Sequence, residues 1–455
     1  MTASSAQLGA TVLPEKSGED YVVKGGWYTL WVMLALTLFS FVDRQVLTLA
    51  AAPMAASLGL NDSELGLVQG LAFAIFSVVA VYPIAWAADR FDRRIVLGLC
   101  VVIWSVGTAA CGLARNFDQL FLAAVAIAAG EAGLAPIALA FVPDLFKGRK
   151  RLLANGLTYC FAFLGIAAGL ALGGSAIGAL DAVHADLPPS LRAFESWRLA
   201  FFLVALPAPL FLGLMAFARL GRPAKAAVAI VTDAPQAHML PFVRNHAKAM
   251  LSILGALGFY MLAFGSYLVW LPVASTRLFA TTPTENGTAM GLATAIGMSG
   301  GVTASTLAVR RMFVSRGRTA SVRFAWIAML CFSPFLFAFP FIAAPWQGFA
   351  LFGLLMLVGT GIGSLIPTML QDMAPTYLRA RMLAINTVIT GLVGGIAPTC
   401  VGWASTALGT EPRMLVVAMT IVALPSWIIA ILLFRTGEKP FARLVSDVAE
   451  RETLL

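Results

Sequence analysis

Charge is scarce in this chain. Asp, Glu, Lys and Arg make up only 12% of its 455 residues, about half the share of a soluble globular protein. With 60% hydrophobic residues and a mean hydropathy of +0.87, that deficit excludes an ordinary soluble domain and indicates a polytopic membrane protein. Histidine is scarcer still. His184, His238 and His246 all fall in polar loops, so no imidazole stands inside the apolar segments to carry a proton. The cysteines, Cys100, Cys111, Cys160, Cys331 and Cys400, lie in apolar stretches without a CxxC pair and read as small buried hydrophobes. HExxH, paired-Asp and P-loop patterns are missing, which argues against a membrane-embedded enzyme, and no metal or cofactor is expected. The first 26 residues lack the short apolar core and small-residue cleavage site of a secretory signal peptide, leaving the first apolar segment as the expected targeting signal.

What remains is a succession of apolar runs. A spanning helix needs about 20 such residues. That ruler gives segments near 28–57, 64–86, 95–113, 118–143, 153–180 and 197–219, then 248–276, 286–309, 320–342, 348–371, 382–408 and 413–434. The sequence thus predicts an all-α membrane protein of twelve transmembrane helices. Asn61, Asp62 and Ser63 before the second segment and Thr284–Glu285–Asn286 before the eighth supply helix-starting chemistry. The longest polar break, 220–247, reads as a linker between an N-terminal bundle (28–219) and a C-terminal bundle (248–434), with tails at 1–27 and 435–455.

The net charge of +9 is unevenly placed. Loops after even-numbered segments carry nineteen Lys and Arg residues, those after odd-numbered segments only Arg115, Arg192, Arg198, Arg277 and Arg413. By the positive-inside rule both termini lie in the cytoplasm. The basic excess therefore reflects topology, not nucleic-acid binding. A bacterial cytoplasmic membrane is expected, with a monomer in the bilayer. The two bundles also echo one another. Asp144, Arg151, Ala154 and Asn155 recur in order as Asp372, Arg379, Ala384 and Asn386, and duplicated halves around a central pathway are a transporter architecture.

Ala85-Trp-Ala-Ala-Asp89-Arg90-Phe-Asp92-Arg93-Arg94, after the second segment, resembles the signature loop of the major facilitator superfamily. Asp89, Arg90, Arg93 and Arg94 match that pattern; Ala85 and Asp92 replace its two glycines. The resemblance implies two pseudo-symmetric six-helix bundles that rock about a central site. It also implies a conformational gate formed by these residues with Asp144, Arg151, Asp372 and Arg379. Gly165, Gly169, Gly173 and Gly174 in the fifth segment resemble the antiporter motif of the same superfamily, with Leu170 where proline stands. Glycines at this spacing let helices approach closely.

Three charges interrupt the apolar runs: Asp43 and Arg44 in the first, Glu131 in the fourth. Each costs about 2.5–3.5 kcal/mol at the bilayer centre on insertion scales. Thr37, Ser40, Arg44 and Thr48 share one helical stripe, with Asp43 about 100° away, while Glu131 stands among Ala and Gly residues. An Arg44–Glu131 pair is expected across a wet cavity. Burial favours the neutral glutamic acid and the arginine favours the anion, so Glu131, with Asp43, is the expected proton-coupling pair and the proton gradient the energy source. Tyr260, Phe264 and Tyr267 on the seventh segment would add an aromatic wall to the substrate site.

The Asp43–Arg44 pair together with Gly130-Glu131-Ala132 resembles the spinster family of lipid transporters. That resemblance implies a small-molecule or lipid cargo of the lysophospholipid or sphingoid phosphate type. It also implies that Arg44 and Glu131 serve coupling or headgroup binding. A multidrug exporter and an organic-acid carrier stand as alternatives within the superfamily.

Overall fold

The computed structural model describes residues 21–219, 239–375, 378–409 and 411–453. Among them the chain is predominantly helical, and its one β feature is an isolated bridge between Val22 and Phe146. The helices run α1 (Gly26–Leu49), α2 (Ala51–Leu58), α3 (Asp62–Gly66), a π-helical turn (Leu67–Leu71), α4 (Ala72–Arg90), α5 (Arg93–Leu113) and α6 (Phe117–Glu131). Next come α7 (Leu134–Leu145), α8 (Gly148–Val183), α9 (Pro189–Arg192), α10 (Ser196–Ala205), α11 (Ala208–Ala216) and α12 (Met239–Asn245). The second half holds α13 (Ala247–Phe279), α14 (Pro283–Arg316), α15 (Ala320–Ala338), α16 (Pro345–Met373), α17 (Arg379–Leu408) and α18 (Pro412–Thr453).

Ten stretches of the described residues are long and apolar enough to cross a membrane, and one of them, Pro283–Phe341, contains both α14 and α15. Counting that stretch as two, and α6 with α7 as one interrupted crossing, brings ten to the twelve expected from the sequence. The interruption has a chemical cause. Pro136 has no N–H to bond back to Ala132, so the helix ends at Glu131 and restarts at Leu134. Pro207 similarly separates α10 from α11.

One expected boundary moves. The last helix does not stop at 434 but continues to Thr453. Phe441, Leu444, Val445 and Val448 give its extension an apolar face at helical spacing, and all four are buried. His246 lies 3.5 Å from Asp447 and holds the extension beside the start of α13. Of the expected linker, 220–238 lies outside the described residues, and 239–245 forms α12.

The bundles meet along two seams, α8 against α14 and α3–α4 against α17. Both seams close at the end opposite the basic loops. There Thr284 donates to the Gly174 carbonyl at 3.0 Å, and Ser63 and Thr406 share a 2.8 Å hydrogen bond. A Cβ on Gly174 would collide with the Pro283 carbonyl and lie 2.9 Å from Gly287 Cα; the backbones approach that closely only because both positions are glycine. Gly165, Gly169 and Gly173 face the other way, against Phe41, Gln45 and Val46 of α1. The four glycines thus bind α8 both to its own bundle and across the seam.

Closure at this end predicts that Ser63→Cys/Thr406→Cys, in a background without native cysteines, forms a disulfide readily. Adding Gly174→Val should slow that cross-link at least several-fold, read by gel shift. An unchanged cross-linking rate would contradict the packing described.

Candidate functional site

The site begins with a helix that carries charge where solvation is poor. On α1, Asp43 is 2% exposed; its Oδ2 accepts a 2.7 Å hydrogen bond from Thr108 of α5. Its Oδ1 is buried with no hydrogen-bond partner among the described residues. Glu131, the last residue of α6, is half-buried, and its Oε1 is likewise buried and unpartnered. Both Arg44 and Asp43 lie within electrostatic reach of the Glu131 carboxyl. Arg44 itself is exposed, with its guanidinium carbon 4.8 Å from the centre of the Phe73 ring of α4. A guanidinium over an aromatic face keeps its N–H fork available for a planar or tetrahedral anion.

The expected Arg44–Glu131 contact is looser than a salt bridge. No carboxylate among the described residues lies within 4 Å of Arg44, and the Phe73 ring takes the place of a counter-ion. The polar stripe also contracts. Thr37 donates to the Met33 carbonyl, Ser40 to Thr37 and Thr48 to Arg44, so their hydroxyls are engaged by their own helix. Ser40 and Thr48 are buried, which leaves Arg44 as the exposed member.

The aromatic wall is corrected too. Tyr260 and Tyr267 turn into the C-terminal bundle, at 1% and 0% exposure. Tyr260 donates to the Gly359 carbonyl at 2.6 Å, and the Tyr267 hydroxyl meets Thr420 at 3.1 Å. In apolar surroundings a phenol needs a partner, and both find one inside the bundle. Phe264 is half-buried against Gly359. These residues brace α13 in this conformation.

The expected gate residues divide. Arg93 pairs with Asp144 at 2.8 Å, and the second bundle repeats the arrangement with Arg318 and Asp372 at 3.6 Å. Each pair ties the turn between two crossings to the end of a third, and each stays within one bundle. Arg94 pairs with Asp92, Arg90 lies over Trp86, Arg379 donates to the Ala374 carbonyl, and Arg151 is exposed. The Asp89 side chain lies outside the described ones.

Among the described residues, a charged contact that crosses between the bundles was not singled out in the sequence. Arg277, ending α13, grips Asp62 of α3 through two hydrogen bonds of 2.9 and 2.6 Å, and Ser405 of α17 adds a third at 2.6 Å. Asp62 reads in sequence as a helix start and Arg277 as a lone basic loop residue; only the seam unites them. The contact borders a cavity of about 890 Å³ lined by Ser57, Asp181, Glu195 and Trp197. Burial opposes the Glu195 charge, but hydrogen bonds from Ser57, Trp197 and Arg198 outweigh it and hold its carboxyl below the usual range. Nearer the basic end, a second cavity of about 800 Å³ lies between the bundles, lined by Leu164, Ala167, Met298, Val302, Thr303 and Pro367 among others.

Losing a bidentate, charge-assisted contact costs about 1.5–3 kcal/mol. Arg277→Gln is therefore predicted to speed amide exchange in 62–71 and 398–406 by about ten- to a hundredfold. Asp62→Asn/Arg277→Gln should add little to either single change. Strict additivity in that cycle would contradict a shared contact.

Known proteins share this fold. The family model for the Major Facilitator Superfamily matches residues 33–398. A solved structure described as a bacterial homolog to the human lysosomal transporter spinster, inward-facing and occupied, superposes with a TM-score of 0.73 at 20% identity, over 93% of this chain and 97% of that one. "Probable sulfoacetate transporter SauU" of Cupriavidus necator is 32% identical over 143 residues, 30% of this chain and 31% of that protein. "Protein spinster homolog 3" of Danio rerio is 28% identical over 145 residues, 31% of this chain and 29% of its own length. These alignments span less than a third of the relatives they match. The family model covers most of the chain, and the fold agrees with it: this chain belongs to the Major Facilitator Superfamily.

Proposed function

We propose that this chain is a proton-coupled secondary carrier of anions, with an amphipathic, lipid-like anion of the lysophospholipid or sphingoid phosphate class as its cargo. The carrying observation is Arg44, exposed and without a carboxylate within 4 Å among the described residues, beside two buried carboxyls that each have an unpartnered oxygen. With both carboxyls ionised, the three groups sum to −1. An arriving anion competes with Glu131 for Arg44, and a proton on Glu131 compensates the loss. Asp43, anchored by Thr108, keeps a second acidic group beside this balance. The apolar cavity between α8, α14 and α16 offers room for an acyl chain.

We read the basic loops as cytoplasmic under the positive-inside rule, so that the end bridged by the Asp62–Arg277 contact faces outward. We take the membrane to be a bacterial cytoplasmic membrane and the unit to be a monomer driven by the proton gradient. A short organic acid is the second reading, favoured by the similarity to the sulfoacetate transporter; it uses Arg44 in the same way and leaves the apolar cavity unused.

Purified protein in liposomes should move lysophosphatidate or sphingosine-1-phosphate without ATP, faster when a pH gradient is imposed. Glu131→Gln should keep exchange yet lose the response to that gradient, and Arg44→Ala should lose both, with flux down at least tenfold. Gradient-driven accumulation by Glu131→Gln would rule out this coupling role. Transport of galactonate or sulfoacetate but neither lipid would select the second reading.

A further inference from the structure

The buried polar group that none of this uses is Gln69. It sits in the π-helical turn Leu67–Leu71, where Ala72 N–H reaches back five residues to the Leu67 carbonyl. It is only 7% exposed, and both its amide atoms are buried without a partner among the described residues. Leaving a buried amide unsatisfied costs about 1–3 kcal/mol, and π turns concentrate at functional positions.

The turn is held from the other bundle. Thr399 of α17 is fully buried; its hydroxyl donates to the Gly66 carbonyl at 2.9 Å and accepts from Leu71 N–H at 3.2 Å. That one hydroxyl bridges the rung that the widened turn leaves open. Gln69 precedes Phe73 by one turn, about 6 Å along the helix, and Phe73 is the ring on which Arg44 rests. Gln69 therefore lies one turn nearer the closed end than the ring that carries Arg44.

We propose that Gln69 is a specificity-determining residue of the anion site, reading a hydroxyl that neighbours the anionic group of the cargo. An amide offers one acceptor and two donors, which matches a hydroxyl that donates once and accepts once, while Arg44 takes the charge. The assignment rests on the anion-carrier reading above and adds to it a requirement on the cargo. A site built to hydrogen-bond a hydroxyl rejects the analogue that lacks it, because its own polar atoms then stay unpaired.

The test compares oleoyl lysophosphatidate with its 2-deoxy analogue, in binding to detergent-purified wild type, Gln69→Leu and Arg44→Ala. Wild type should prefer the hydroxyl-bearing probe by about tenfold, the size of one hydrogen bond. Gln69→Leu should bind both equally, at the weaker affinity. Without ligand it should melt at or above the wild-type temperature, since an apolar isostere relieves an idle amide. An undiminished preference in Gln69→Leu, or a fall in its ligand-free melting temperature, would overturn the assignment; the fall would show that the amide serves the fold. Equal binding of both probes by Arg44→Ala and wild type would instead sink the anion-carrier reading itself.

Discussion

A charge in the hydrocarbon layer must be compensated, and this protein concentrates that burden in its N-terminal bundle. Asp43, Arg44 and Glu131 lie on two helices of one half, each at a cost of about 2.5–3.5 kcal/mol. The C-terminal half answers with tyrosines whose hydroxyls are already satisfied. The division follows from solvation. One bundle keeps groups whose partners can change; the other offers a stiff wall. Glu131 at the end of a broken helix fits that division, because an interrupted helix within a membrane is tolerated where it borders protein or water.

Closure has a different material basis. At the end away from the basic loops the bundles touch through glycine backbones, hydroxyls and one charged cluster. Small residues permit the approach, and Asp62, Arg277 and Ser405 supply a directional bond. Such contacts are modest one by one, which suits an interface that must open. Arg93–Asp144 and Arg318–Asp372, by contrast, stay within their bundles and stiffen each of them.

Much of this was legible in the chain. Apolar runs set the helices within a few residues, because hydropathy dominates folding in a membrane. Asp43, Arg44 and Glu131 stood out because intramembrane charge is rare. Periodicity failed where a side chain has more than one way to be satisfied. Tyr260 and Tyr267 share a helical face, yet hydrogen bonds to Gly359 and Thr420 decide where their hydroxyls go. The hydroxyls of Thr37, Ser40 and Thr48 bond within α1, a choice that spacing does not reveal. The continuation of α18 to Thr453 could have been seen in the spacing of Phe441, Leu444, Val445 and Val448. Asp62 and Arg277 are 215 positions apart, and nothing local announces a bond between them; nor does any local signal announce the π turn that carries Gln69, since it depends on Thr399 in the other bundle.

The central claim is that an anion arriving at Arg44 and a proton arriving at Glu131 bind together in one electrostatic balance. Calorimetric binding of lysophosphatidate in buffers of different ionisation enthalpy counts protons directly. The account predicts net proton uptake on anion binding by wild type, rising towards one proton per anion as the buffer is made more alkaline, and none by Glu131→Gln. Binding with no proton exchange in the wild type, or the same exchange in both proteins, would contradict it.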